Sequence, residues 1–180
     1  MNMLKLIKTA DLVSLLNALF GFLGILLILN NKIYIAIFTM LISLFLDTLD
    51  GKISRVMKNE SEFGKNVDSL SDIISFGAVS ACLCYKIIGG WTGFSIGGLL
   101  LLCGVLRLAR YNILSIKDEY IGLPITTLNI IFPALYFLKI LNPVVIIFVS
   151  VICSILMVSN IRIKKIRSEM IIKRLRTALL

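Results

Sequence analysis

Apolar runs of bilayer-crossing length alternate with short clusters of charge along this chain, and no other feature constrains its fold as strongly. Crossing about 30 Å of hydrocarbon takes about 20 mostly apolar residues in a helix. The first run, Leu12 to Leu29, meets that length without a single ionisable side chain. With 58% hydrophobic residues and a mean hydropathy of +0.98, the 180 residues are too apolar for a soluble domain. Soluble domains hold roughly 45–50% apolar residues. The expected architecture is all-α: one membrane-embedded domain over residues 1–180, a polytopic bundle of six transmembrane helices with both termini cytoplasmic.

The turns between the runs set the boundaries. The first span leaves through Asn30-Asn31-Lys32. The second starts near Ile33 and, with no helix breaker before Gly51, continues past Asp47 to about Met57. After a polar turn, Lys58–Phe63, Gly64 opens the third span and Gly89-Gly90 closes it. The fourth runs from about Thr92 to Asn112, the fifth from Leu123-Pro124 to about Lys139, and the sixth from the Asn142-Pro143 turn to near Asn160. Met1–Thr9 and the basic tail over about 162–180 mix basic and apolar residues, and read as amphipathic helices on the membrane surface. The first span is long enough to cross and no small-residue cleavage site follows it, so a cleavable signal peptide is not expected.

Charge supports this layout. All basic residues but Lys32, Lys86 and Lys139, sixteen of nineteen, fall on the segments assigned to the cytoplasm. That asymmetry is the positive-inside pattern, so the net charge of +9 orients the chain and implies no nucleic-acid partner. All ten acidic residues fall on the same side, which places the working site at the cytoplasmic face of a multi-pass cell-membrane protein. Lys86, Lys139 and the single Trp91 read as interfacial anchors on the other side. Histidine is absent, which excludes Ser-His-Asp hydrolysis, Cys-His proteolysis and the usual histidine zinc site. Cys82, Cys84, Cys103 and Cys153 lie within apolar runs and behave as small buried hydrophobes.

The chemistry concentrates in four aspartates. Asp47 and Asp50 are three residues apart and Asp68 and Asp72 four apart, so each pair shares one helix face. The pairs sit at the end of span two and the start of span three, antiparallel neighbours joined by a short turn that brings them together. Four carboxylates within a few ångströms cannot all stay ionised without cations. Oxygen ligands in that number suit Mg²⁺, Mn²⁺ or Ca²⁺. Lys52, Arg55, Lys58 and Lys65 could instead neutralise the acids as surface pairs. Against that, Asp72 begins inside an apolar stretch, and an ionisable group within a span is functional by default. Gly51 and Gly64 flank the turn, and a glycine within a helix costs about 1 kcal/mol against alanine. Either something large, such as a metal-held diphosphate, approaches the backbone there, or small residues pack one helix on another.

Read as one string, Asp47-x2-Asp50-Gly51-x2-Ser54-Arg55-x8-Gly64-x3-Asp68-x3-Asp72 resembles the signature of the CDP-alcohol phosphatidyltransferase family, D-x2-D-G-x2-A-R-x8-G-x3-D-x3-D. The one departure is Ser54 in place of alanine. The resemblance implies transfer of a phosphatidyl group from a CDP-linked lipid to an alcohol, with release of CMP. By position it implies that Asp47, Asp50 and Asp68 hold metal, most simply two Mg²⁺ or Mn²⁺ ions, with Asp72 sharing a metal and serving as base. It sets Gly51, Ser54, Arg55 and Gly64, with the metal-holding aspartates, against the CDP moiety, and implies a homodimer. Asn17 and Gly21 resemble the family's N-x3-G element, which would put Asn17 at the cytosine. Upstream, Ala10-Asp11 and Ser14 replace the usual Pro-Asn and Thr, which weakens that part of the match.

Arg107-Leu-Ala-Arg110-Tyr111-Asn112 and Gly122-Leu123-Pro124 resemble the phosphatidylserine synthase branch of that family. L-serine carries a carboxylate, and arginine is its natural bidentate clamp, so Arg107 or Arg110 is expected to bind it. Either could instead snorkel to lipid headgroups. Glycerol phosphate or inositol phosphate as acceptor would also want arginines. A divalent-cation transporter stays as a reading from another class, but it should place ligands near mid-bilayer with a path to the far face, where this sequence has no acid.

Overall fold

The computed structural model describes residues 7–56, 61–114 and 119–164. In chain order the elements are α1 (Thr9–Leu29), α2 (Ile33–Val56), α3 (Glu62–Asp72), a π-helical turn (Ile73–Ala78), α4 (Val79–Ile88), α5 (Gly90–Leu114), β1 (Glu119–Ile121), a 3-10 turn (Ile125–Thr127), α6 (Leu128–Phe137), α7 (Pro143–Val158) and β2 (Arg162–Lys164). Among the described residues, four segments, Thr9–Leu29, Ile33–Ser54, Glu62–Ile88 and Gly90–Leu114, are long and apolar enough to cross a membrane. The other two apolar helical segments, Ile125–Phe137 and Pro143–Val158, are shorter. At 1.5 Å per residue they measure roughly 20 and 24 Å, less than the hydrocarbon thickness.

Burial along α1 shows which solvent this bundle is built for. The residues turned inward are Asp11, Ser14, Asn17, Gly21 and Gly24, whereas Leu12, Leu15, Leu19, Phe22 and Leu23 face outward. In water that pattern would cost more than the fold could recover; against lipid tails it is favourable, because helix contacts there form through small and polar residues. The inward glycines let neighbouring helices approach. A methyl on Gly21 would stand 2.5 Å from Ser75 Cα, and one on Gly24 would stand 2.8 Å from Thr39 Oγ1. Between the helices, Ile37, Met40, Phe76, Leu83, Leu100 and Phe132 form a fully buried apolar core.

Two departures from the sequence reading bear on the site. The third span opens at Glu62, not Gly64, because Ser61 caps it: Gly64 N–H donates to Ser61 Oγ at 3.0 Å. Immediately after Asp72 the same span becomes a π-helix. Ser75 Oγ–H donates to Ser71 O (2.9 Å), and the Asn129 amide of α6 donates to Ser75 O (3.1 Å) and Met40 O (2.9 Å). One carbonyl of the wider turn, Ser75 O, is thus satisfied from α6, and Ser71 O by a side chain of the turn itself, which helps the turn persist.

The helical spacing of the basic tail does not carry its first residues. Arg162–Lys164 pairs antiparallel with β1, Ile121 opposite Arg162. The Arg110 guanidinium gathers the carbonyls of Met157, Val158, Ser159 and Ile121 at 2.9–3.3 Å, drawing the chain after α7 beside the connector after α5. Gly122 sits between them at φ +72°, a conformation that favours glycine. Residues 1–6 and 165–180, which carry most of the two interfacial helices expected from the sequence, lie outside the described residues.

Candidate active site

α1 and α2 run antiparallel, so the start of α1 meets the end of α2, and α3 begins at the same end of the bundle. The contact is direct: Ser14 Oγ–H donates to Asp50 Oδ2 at 2.8 Å. Asp47, Asp50 and Asp68 each present a carboxylate oxygen, and these oxygens lie within 4.8 Å of one another. Asp72 stands outside that trio but reaches the Asp47 carboxylate within hydrogen-bonding range. Asp50 and Asp72 are buried, and Asp47 and Asp68 are partly so.

Buried like charges this close repel strongly unless something offsets them. Asp68 Oδ1 and Asp72 Oδ1 are buried with no hydrogen-bond donor among the described residues. Hard carboxylate oxygens, converging and in part unsatisfied, fit a divalent cation of the Mg²⁺ class. Arg107 of α5 is buried beside this cluster: its guanidinium interacts with Asp47 and lies 5.2 Å from the centre of the Tyr111 ring.

The remaining residues singled out from the sequence divide by what they touch. Asn17, one turn below Ser14, is fully buried, and neither its amide nitrogen nor its oxygen has a partner among the described residues. Gly51 and Ser54 are half-buried in the last turns of α2; Arg55 follows them, its side chain outside the described residues. A methyl on Gly64 would stand 2.6 Å from Asp11 Oδ1, so the room this glycine leaves is taken by α1. Arg110 is on α5 as well, but its guanidinium is spent on the end of α7 and the Asn160 side chain, away from the aspartates.

Asp11 and Asn129 carry weight that the sequence reading did not give them. Asp11 is buried, and its Oδ2 accepts from Lys8 N–H at 2.8 Å while its other oxygen packs on Gly64. A signal existed: Asp11, Ser14, Asn17 and Gly21 form a polar stripe at helical spacing in an otherwise apolar span. Asn129 had none, since only the folded chain brings α6 against Met40 and Ser75.

A bundle of membrane-capable helices with a carboxylate cluster at one end defines a membrane protein built around a divalent-cation type of centre. The chain belongs to the CDP-alcohol phosphatidyltransferase family, whose profile matches residues 7–161. It is 35% identical over 165 residues to an archaetidylserine synthase of Methanothermobacter thermautotrophicus, an alignment covering 89% of this chain and 71% of that protein. It is 40% identical over 121 residues to a CDP-diacylglycerol–serine O-phosphatidyltransferase of Methanocaldococcus jannaschii, covering 67% of this chain and 56% of the relative. A protein of the same name from Bacillus subtilis is 32% identical over 151 residues, covering 81% and 84% respectively. The chain therefore spans little more than half of the Methanocaldococcus relative.

Proposed function

We propose that this protein transfers the phosphatidyl group of a CDP-linked lipid, CDP-diacylglycerol or its archaeal equivalent, to the hydroxyl of L-serine, releasing CMP. The observation that carries the reading is the convergence of Asp47, Asp50 and Asp68 oxygens within 4.8 Å on the very motif that marks the family. The acceptor is supported by the serine-directed names of relatives that align over most of the chain.

In this reading Asp47, Asp50, Asp68 and Asp72 hold two Mg²⁺ or Mn²⁺ ions. When bound, such ions polarise the diphosphate and neutralise charge on the departing CMP. The chain's own groups do the rest. Asn17, Gly51, Ser54, Arg55 and Gly64 line the CDP moiety together with the metal-holding aspartates. Arg107, already buried beside Asp47, clamps the serine carboxylate. Arg110 is the weaker candidate, because its donors are committed to backbone carbonyls. As the serine oxygen attacks the lipid-bearing phosphorus in line, the bond from that phosphorus to CMP breaks and Asp72 accepts the hydroxyl proton. Asp72 suits that part because it touches Asp47 and keeps one oxygen without a protein donor among the described residues.

The site lies at the cytoplasmic face of a multi-pass cell-membrane protein with six spans and both termini inside, as the basic-residue asymmetry supports. Residues 1–180 act as one domain and assemble as a homodimer in the membrane. The test is CMP release by purified protein given CDP-lipid and Mg²⁺ or Mn²⁺, with serine, glycerol phosphate, inositol and inositol phosphate in separate reactions. Serine alone should support release. Release with another acceptor would reassign the substrate, and release with none would end the transferase reading.

A further inference from the structure

At the end of the bundle remote from the aspartates, a groove of about 480 Å³ opens between the α1–α2, α4–α5 and α6–α7 turns. Its walls are apolar, from Ile33, Ile87 and Leu141, and its rim carries Tyr34, Tyr136 and Lys139. The two tyrosine rings lean together with centroids 6.4 Å apart. Phe38 packs edge-on against Phe137, also part of the lining, and extends the aromatic belt outward.

Lys139 is set there by an unusual backbone. The turn after α6 ends in a Schellman arrangement, with Ile140 N–H donating to Leu135 O at 3.1 Å and Lys139 N–H to Tyr136 O at 3.0 Å. The residue at its centre must be left-handed, and Lys139 has φ +59°. Glycine or asparagine is the usual occupant, and the matching turn after α1 does use asparagine, Asn31, at the same φ. A long cationic side chain held at such a position points to a use for the charge. The charge is also uncompensated by sequence: the turns at this end carry Lys32, Lys86 and Lys139, and residues 30–33, 86–91 and 137–143 contain no acid.

We propose that this groove is a binding site for an anionic phospholipid of the leaflet at that end of the bundle. One acyl chain lies along Ile33, Ile87 and Leu141, and the phosphate meets the Lys139 ammonium and the Tyr34 and Tyr136 hydroxyls. An amphiphile fits both halves of the groove: the apolar floor excludes a free anion as the main ligand, and the rim donors favour phosphate over an uncharged headgroup. The site is independent of the transfer reaction, being at the other end of the molecule.

Trp91, the single tryptophan, stands exposed at this same end and reports on lipid contact. The protein is reconstituted in vesicles containing brominated phosphatidylglycerol or brominated phosphatidylcholine, each diluted in unbrominated lipid, and quenching of Trp91 gives the relative affinity. A single well-placed lysine should give about fivefold preference for phosphatidylglycerol. Lys139→Gly, which relieves the left-handed backbone and so should fold, is expected to bring the ratio to about one. Lys86→Gln should leave most of the preference. No preference in the unaltered protein, a preference that survives Lys139→Gly, or an equal loss in Lys86→Gln (which would mean diffuse surface charge) would each overturn the proposal.

Discussion

Arg107 and Arg110 are one turn apart on α5, yet they serve two regions built on opposite terms. In the aspartate cluster beside Arg107 the polar groups are buried and incompletely satisfied: Asp68 and Asp72 each keep an atom with no partner among the described residues. Around Arg110 the account closes, with five acceptors on one guanidinium at 2.9–3.3 Å. Natural folds rarely leave buried polar atoms unpartnered, since each costs about 1–3 kcal/mol. The first region therefore keeps its free energy in reserve for a ligand, whereas the second uses its hydrogen bonds to hold the chain. Two like residues at helical spacing differ in role because their neighbours differ.

The sharpest way to break this contrast is Asp68→Asn. Loss of one of three converging carboxylates should lower CMP release by about 10²–10³-fold or more. The melting temperature should hold or rise, because a buried like charge is removed. Retained turnover with a lower melting temperature would mean that the cluster is structural.

The arginine pair sharpens it next. Arg107→Ala should raise the KM for serine by about 10–100-fold, the range of a charged hydrogen-bonded contact. Arg110→Ala should leave that KM alone and cost about 2–3 kcal/mol of stability, read by denaturation in detergent, as the carbonyls at the end of α7 lose their donor. Exchange of these two outcomes would reverse the assignment of the regions.

The smallest effect tests the frame beneath the site. Gly21→Ala places a methyl 2.5 Å from Ser75 Cα and should cost about 1–3 kcal/mol by pushing α1 from the π-helical turn. A neutral result would show that the helices yield there, and that close approach of α1 is not what holds Ser14 against Asp50.

The legible part of the site was the part written in spacing. Asp47 and Asp50, then Asp68 and Asp72, fall on shared helix faces by periodicity alone, and a short turn leaves antiparallel helices little choice but to bring them together. Membrane character was legible too, because apolar length and clustered charge are properties of composition and order. What spacing cannot show is how the phase of a helix changes. In the π-helical turn at Ile73–Ala78 the Ser75 carbonyl is taken up by Asn129, a residue distant in sequence. The same limit applied to the arginines, whose fates rest on α2 for one and α7 for the other.

Sequence by itself determined that this chain enters a membrane, which helices bear its acids, and which family its motif belongs to. Tertiary structure alone decided that three aspartates converge while the fourth leans on Asp47, that Gly64 makes room for Asp11, and that Arg107 rather than Arg110 stands by the carboxylates. The reason is physical: periodicity fixes the face of a helix on which a side chain lies, but its partner is chosen by long-range packing, and long-range packing is not a property of any local stretch of sequence.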